Sequence, residues 1–141
     1  MFCNSQFSVA VHMLAFIAKD QYDQVTSEQM AESVNTNPVV IRRILCRLAR
    51  GNLVVSQPGV LGGTKLSRPA EQITLLDVYR VIEGCGAYSL HRSQPNETCT
   101  VGRNIVPVID GIMQEAEAVI KDRLSRYTIA DVLKQVLVLP Q

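Results

Sequence analysis

Helical periodicity and helix-start signals divide the chain into six helices and one hairpin. Residues 6–19 are apolar around most of a helical circumference, which predicts a helix buried from several sides. Three later starts share one rule: a Thr with an acid or Gln three residues on, flanked by apolar residues that staple the turn. They are Thr26-x-x-Gln29 between Val25 and Met30, Thr74-x-x-Asp77 between Ile73 and Val78, and Thr128-x-x-Asp131 between Tyr127 and Val132. They predict helices over 27–33, over 75–84 and from 128 onward. Between the first two, Asn35-Thr36-Asn37 reads as a tight turn, with Asn37 as a cap and Pro38 at the first helical position. That helix runs to Arg50 and stops at Gly51-Asn52. Residues 53–56 and 64–67 read as two short strands around the turn-formers Gln57-Pro58-Gly59 and Gly62-Gly63. Residues 85–99 have loop composition, and a long helix is predicted over 101–126. The first natural boundary falls near Pro69, separating 1–69 from 70–141.

The chain has 141 residues and a formal charge of +1, with 47% hydrophobic and 19% charged residues. Those proportions belong to a folded domain rather than a disordered chain. Four cysteines are too few for a disulfide scaffold, and 5% aromatics without Trp argue against a stacking platform. The apolar run over 7–18 is broken by Ser8 and His12, is too short to span a membrane and has no basic residue before it. The expectation is a cytoplasmic protein with no membrane partner.

The charge is unevenly placed. Residues 33–70 contain no Asp or Glu but hold Arg42, Arg43, Arg47, Arg50, Lys65 and Arg68. On a helical wheel, Ile41, Ile44, Leu45 and Leu48 cluster, while Val39, Arg42, Arg43, Cys46, Arg47 and Arg50 lie away from them. A short helix, a turn and a basic amphipathic helix make a helix-turn-helix, whose second helix enters the major groove. The Gly-rich hairpin after it reads as a wing. The expected DNA contacts are Thr36, Asn37, Val39, Arg42, Arg43 and Arg47 on the helix, and Gly62, Gly63, Thr64 and Lys65 on the wing. Arg50 and Arg68 read as peripheral. The competing reading is a merely solvated Arg-rich face. The fold class is mainly α with a small β wing: a winged helix-turn-helix followed by a long helix.

At these residues the chain resembles the Rrf-two-type winged helix-turn-helix transcriptional regulators. The stretches that carry the resemblance are Ala10-Val11-His12-Met13-Leu14, residues 30–43, Pro58-Gly59-Val60-Leu61-Gly62-Gly63, residues 74–83 and Cys99-Thr100-Val101-Gly102. The family includes an iron–sulfur-cluster assembly regulator and a cysteine-metabolism repressor, and the chain is most similar to the cluster-free members. The resemblance implies a homodimer in which the long fifth helix crosses its partner's, and a pseudo-palindromic site on double-stranded DNA. The apolar stripe on that helix agrees. It includes Ile105, Ile109, Ile112, Ala116 and Val119 as dimerisation residues, with Val108, Met113, Ile120, Leu124 and Tyr127 beside them.

Cluster-binding members carry three closely spaced cysteines between the fourth and fifth helices. Here only Cys85 and Cys99 stand there, with His91 between them and Glu97 nearby. The expectation is no cofactor and no metal site, with an iron–sulfur cluster as an alternative. A second alternative makes Cys99 a redox sensor, at a helix start where the dipole favours a thiolate, with Cys85 as its resolving partner. Cys46 reads as a surface filler, Cys3 as incidental, and His12 as a core histidine with a backbone partner. Glu115 with Glu117 and Asp20 with Asp23 read as solvated charge. No nucleophile–base pair or phosphate-binding loop is present, so the chain is not read as an enzyme. The function expected is a DNA-binding regulator, as a repressor, with a regulator acting through a partner enzyme as the alternative.

Overall fold

The computed structural model describes residues 5–20, 23–84, 86 and 88–140. The sequence's candidate Cys85, like Cys3, lies outside the described residues. Helix α1 (Gln6–Lys19) has Ala10, Met13, Leu14, Ala15, Ile17 and Ala18 buried. His12 is the departure from the sequence expectation. It is exposed, and its Nε2 lies 2.9 Å from the Ser33 hydroxyl rather than against a backbone group in the core. Its side of α1 faces outward although its neighbours in sequence are apolar and buried on the other side.

Helices α2 (Ser27–Val34) and α3 (Pro38–Arg50) follow. Thr26 and Gln29 exchange bonds: the Gln29 N–H donates to Thr26 Oγ1 at 3.2 Å, and the Thr26 N–H to Gln29 Oε1 at 2.9 Å. Asn35 then takes a left-handed backbone, φ 62°, so the N–H groups of Asn35 and Thr36 reach back to the Glu32 and Ala31 carbonyls. Asn tolerates that region better than any β-branched residue does. The Asn37 side chain accepts the Val39 N–H at 2.8 Å, and α3 begins.

Strands β1 (Val54–Gln57) and β2 (Gly63–Leu66) pair antiparallel, Val54 opposite Leu66 and Gln57 opposite Gly63. Leu53 is not in the ladder. It is fully buried and its N–H is spent on the Leu48 carbonyl, closing α3. On the far side of β2, Val25 and Thr64 exchange backbone bonds at 3.1 and 2.8 Å, so the linker before α2 acts as a third strand for one residue.

A 3₁₀ turn (Ala70–Gln72) leads to α4 (Leu75–Glu83), and α5 (Thr100–Leu124) and α6 (Ile129–Val138) complete the fold. The capping boxes at Thr74 and Thr128 are both formed, and the two helix starts stand back to back. The Leu75 N–H donates to the Tyr127 carbonyl at 2.9 Å and the Ile129 N–H to the Ile73 carbonyl at 2.8 Å. This pairing lays α6 beside α1. One core results, drawn from both sides of position 70: Met13, Leu14, Met30, Ile41, Leu48, Leu53, Ile73, Val78 and Ile129 are all buried. Each such side chain stabilises the fold by about 1.5–3 kcal/mol relative to exposure.

Arg68 joins the two sides with polar bonds. It donates to the Asn52 carbonyl at 3.1 Å and the Gln72 carbonyl at 3.0 Å, and pairs with Asp77 at 3.1 Å. Burial opposes the charge on Asp77, but the Thr74 N–H and hydroxyl and the Arg68 guanidinium outweigh it. They hold the carboxyl below its ordinary range.

Helix α5 is different in kind. It has 25 residues, about 37 Å at 1.5 Å per residue, and none is buried. Its half-buried residues, among them Val106, Met113, Glu117, Ile120 and Leu124, recur on one side, toward α4. Val101, Val108, Ile112 and Val119 stand on the other side, 55–70% exposed.

Candidate nucleic-acid interface

The residues that the sequence assigns to DNA divide once they are placed. Val39, Arg42, Arg43 and Arg50 are exposed on α3, beside exposed Val40 and Cys46. Among the described residues Arg43 and Arg50 make no hydrogen bond or ion pair, so their guanidiniums are open to an anionic partner. Arg42 pairs with Glu28 of α2 at 2.7 Å, across the helix-turn-helix. Its own backbone N–H first, and then the Arg42 guanidinium, hold the Glu28 carboxyl below the ordinary range. Both side chains are more than half exposed, and such a pair in water is easily exchanged for a phosphate. Asn37 is spent on its cap through Oδ1, while Thr36 is half-buried in the turn.

Arg47 does not share that outer face. Its guanidinium donates to the Ile82 carbonyl in α4 and to Gln6 Oε1 in α1. The wheel alone does not separate the two borders of α3. Arg47 lies about 60° from Ile44 and Arg42 about 60° from Leu45 at 100° per residue, and only on the Arg47 side do α1 and α4 bring acceptors within reach.

The wing divides in the same way. Lys65 is exposed, but Thr64 is 3% exposed, and its hydroxyl lies 3.3 Å from that of Ser56. Gly62 and Gly63 are there for space. A Cβ on Gly62 would fall 2.1 Å from the Gln57 carbonyl oxygen, and one on Gly63 2.8 Å from Gln24 Cβ. The projecting tip is Val60-Leu61, essentially fully exposed, after Gly59 at φ 110°. Sequence reasoning passed over this pair. The signal was available: two aliphatic residues between turn-forming glycines have no opposite face to pack.

Cys99 is exposed at the cap position of α5, where its carbonyl accepts the Arg103 N–H at 2.9 Å. Asn96 shapes the approach. Its Oδ1 accepts from the Thr98 N–H and hydroxyl at 3.0 and 2.8 Å, and its carbonyl lies where a Cβ on Gly102 would be, 2.4 Å away. Among the described residues, no three His, Cys, Asp or Glu side chains converge to hold a metal ion.

An Arg-bearing second helix, its turn and an adjoining hairpin make a winged helix-turn-helix, and the family and relatives that the chain matches are DNA-binding transcriptional regulators rather than enzymes. The chain belongs to the Rrf2 family, described as an iron-dependent transcriptional regulator, whose profile matches residues 3–135. It is 34% identical over 130 residues to YwnA of Bacillus subtilis (strain 168), a protein named among the HTH-type transcriptional regulators. The match covers 92% of this chain and 96% of that one. Two solved structures share the fold at 20% identity. IscR of T. potens has a TM-score of 0.74 and covers 100% of this chain and 93% of its own. The oxidized form of Staphylococcus aureus CymR has a TM-score of 0.71 and covers 94% and 96%. The family's description names iron; of the candidate donors, Cys99 and His91 are both exposed, and Cys85 lies outside the described residues. Among the described residues, no helix is long and apolar enough to cross a membrane.

Proposed function

We propose that this chain is a homodimeric repressor that reads a pseudo-palindromic site on double-stranded DNA. Residues 1–69 supply the DNA-binding region, and residues 70–141 the sensor loop and the dimerisation helices. The observation that carries the reading is the free face of α5. Exposed Val101, Val108, Ile112, Ala116 and Val119 recur at spacings of three, four and seven along the side turned away from the body, with exposed Ile109 and half-buried Ile105 beside them. A stripe of that period on a helix with no buried residue fits a second copy of itself. Two recognition helices on a two-fold axis then address two half-sites.

In this reading Arg43 and Arg42 reach base edges or phosphates, Arg42 exchanging Glu28 for DNA. Val39 offers an apolar contact, and Thr36 and Asn37 present the start of α3 to a phosphate. Lys65 and the backbone at Gly62 and Gly63 bring the wing to the sugar-phosphate. Thr64 contributes through its place in the strand rather than its side chain. Occupancy of a promoter by such a dimer is enough to repress. Cys99 is the sensing thiol: its thiolate attacks one oxygen of a peroxide, the O–O bond breaks and the other oxygen leaves as hydroxide or alkoxide, and the resulting sulfenic acid condenses with the Cys85 thiol with loss of water. Its exposure at the joint between the loop and α5 supports this.

The test is fluorescence anisotropy on DNA from upstream of the gene, with reduced and peroxide-treated protein side by side. The expected result is steeply salt-dependent binding by the reduced dimer, lost on oxidation and retained by oxidised Cys99→Ser. Equal binding in both redox states removes the thiol switch and leaves the DNA reading. No salt-dependent binding at all removes the DNA reading and favours action through a partner protein.

A further inference from the structure

Resting on the reading of α3 as the recognition helix, we infer that Arg47 is a positioning residue that clamps α3 to the end of α4 and leaves DNA contact to its neighbours. The guanidinium is forked across two other helices, Nη2 to the Ile82 carbonyl and Nη1 to Gln6 Oε1. Ile82 stands in the last turn of α4, where carbonyls have no partner within the helix. A cation there satisfies an orphan acceptor and faces the negative end of the α4 dipole. Shape adds to charge at the same joint. Gly51, directly after α3, faces Val81, and a Cβ on it would fall 2.3 Å from Val81 Cγ2. The C-terminal ends of α3 and α4 are therefore fixed against each other by close packing and by Arg47 together.

The consequence reaches further than α3. Tyr79 of α4 donates to Glu117 of α5 at 3.1 Å. Arg47 thus closes a path from recognition helix to α4 to the helix that bears the free apolar face. The angle between the recognition helix and that arm is set at this clamp. Arginine suits the task because its planar fork serves two acceptors in fixed directions, which the point charge of lysine does not.

The test compares Arg47→Lys, Arg47→Ala and Arg43→Ala with the wild type. The cognate probe is a duplex that the wild-type chain selects from a random-sequence pool, and a scrambled duplex is the control. Positioning predicts that Arg47→Lys weakens cognate binding about tenfold, leaves scrambled binding within about twofold and leaves the salt slope unchanged. It also predicts that the DNA-free Arg47→Lys protein melts about 4 °C lower. Phosphate contact by Arg47 predicts wild-type affinity and melting for Arg47→Lys, and a slope flattened by about 0.9 per lost contact for Arg47→Ala. That pattern overturns the inference. If Arg47→Ala does not fold, the lysine variant and its DNA-free melting still decide. Undiminished cognate binding by Arg43→Ala, or failure of the wild type to select any duplex, sinks the reading of α3 instead. The melting comparison at Arg47 is independent of both.

Discussion

The winged-helix body and α5 are built from similar apolar residues and treat them in opposite ways. In the body, Met13, Leu14, Ile41, Leu48 and Ile73 meet one another and leave almost no surface. On α5 the apolar residues divide, one row half-buried against α4 and the other facing solvent. The body is complete as a single chain. Among the described residues, helix α5 meets α4 through a thin apolar contact and the Tyr79 hydroxyl on Glu117, while Tyr88 of the preceding loop donates to Asp110 at 2.7 Å. An arm held by a few polar bonds transmits a change in its surroundings more readily than a packed core does.

The comparison is broken most severely in the body. Leu48→Ala removes a fully buried side chain from α3 and should cost about 2–5 kcal/mol, read as a shift in the denaturation midpoint. The same truncation logic fails on the free face of α5. Ile112→Glu there should leave the melting of the monomer body nearly unchanged. Under the proposed function it halves the mass seen by sedimentation and weakens cognate DNA binding by about 100-fold, through loss of the linked second half-site.

Tyr79 sharpens the same contrast at the joint. Burial first, and then the Glu117 carboxylate, push its phenol from the ordinary value of 10 to about 12. The raised value means that its stabilisation is complete below pH 10 and is lost as pH rises toward 12. Tyr79→Phe should remove that alkaline step, on the order of 1 kcal/mol, from stability measured between pH 9 and 12 (a window of about one unit below the ordinary value to the folded one). The smallest effect belongs to the exposed Glu28–Arg42 pair. Glu28→Gln should change stability by less than about 0.5 kcal/mol, and should strengthen DNA binding slightly because Arg42 no longer has a competing carboxylate. A loss of affinity in that variant would count against Arg42 as a DNA contact.

Legibility followed the range of the interaction. All three Thr capping boxes are formed where the sequence places them, because a cap involves residues three apart and little else. Asn35, Asn37 and Pro38 fixed the turn between α2 and α3 for the same reason. The candidate site was less legible. Arg43 and Arg47 are both arginines on α3, and sequence put them on one face. The second is turned inward because two groups distant in sequence, Gln6 and the Ile82 carbonyl, meet beside it. Thr64 was read as a wing contact and is buried because Val25, some 40 residues earlier, pairs with its backbone. His12 looked like a core residue within an apolar helix, and only the packing around α1 shows that its position lies on the outer side, within reach of Ser33.

The sequence by itself determined the elements, their order, the acid-free basic segment and the family, since propensity, capping and charge are local properties of the chain. It also determined that α5 is apolar over a wide arc. Which part of that arc belongs to the chain's own body was decided by tertiary structure, when α4 and the Tyr79 hydroxyl took one side and left the other uncovered. The same holds for each guanidinium on α3. Its charge is written in the sequence, but whether it faces solvent or an orphan carbonyl depends on which distant backbone the fold brings within reach.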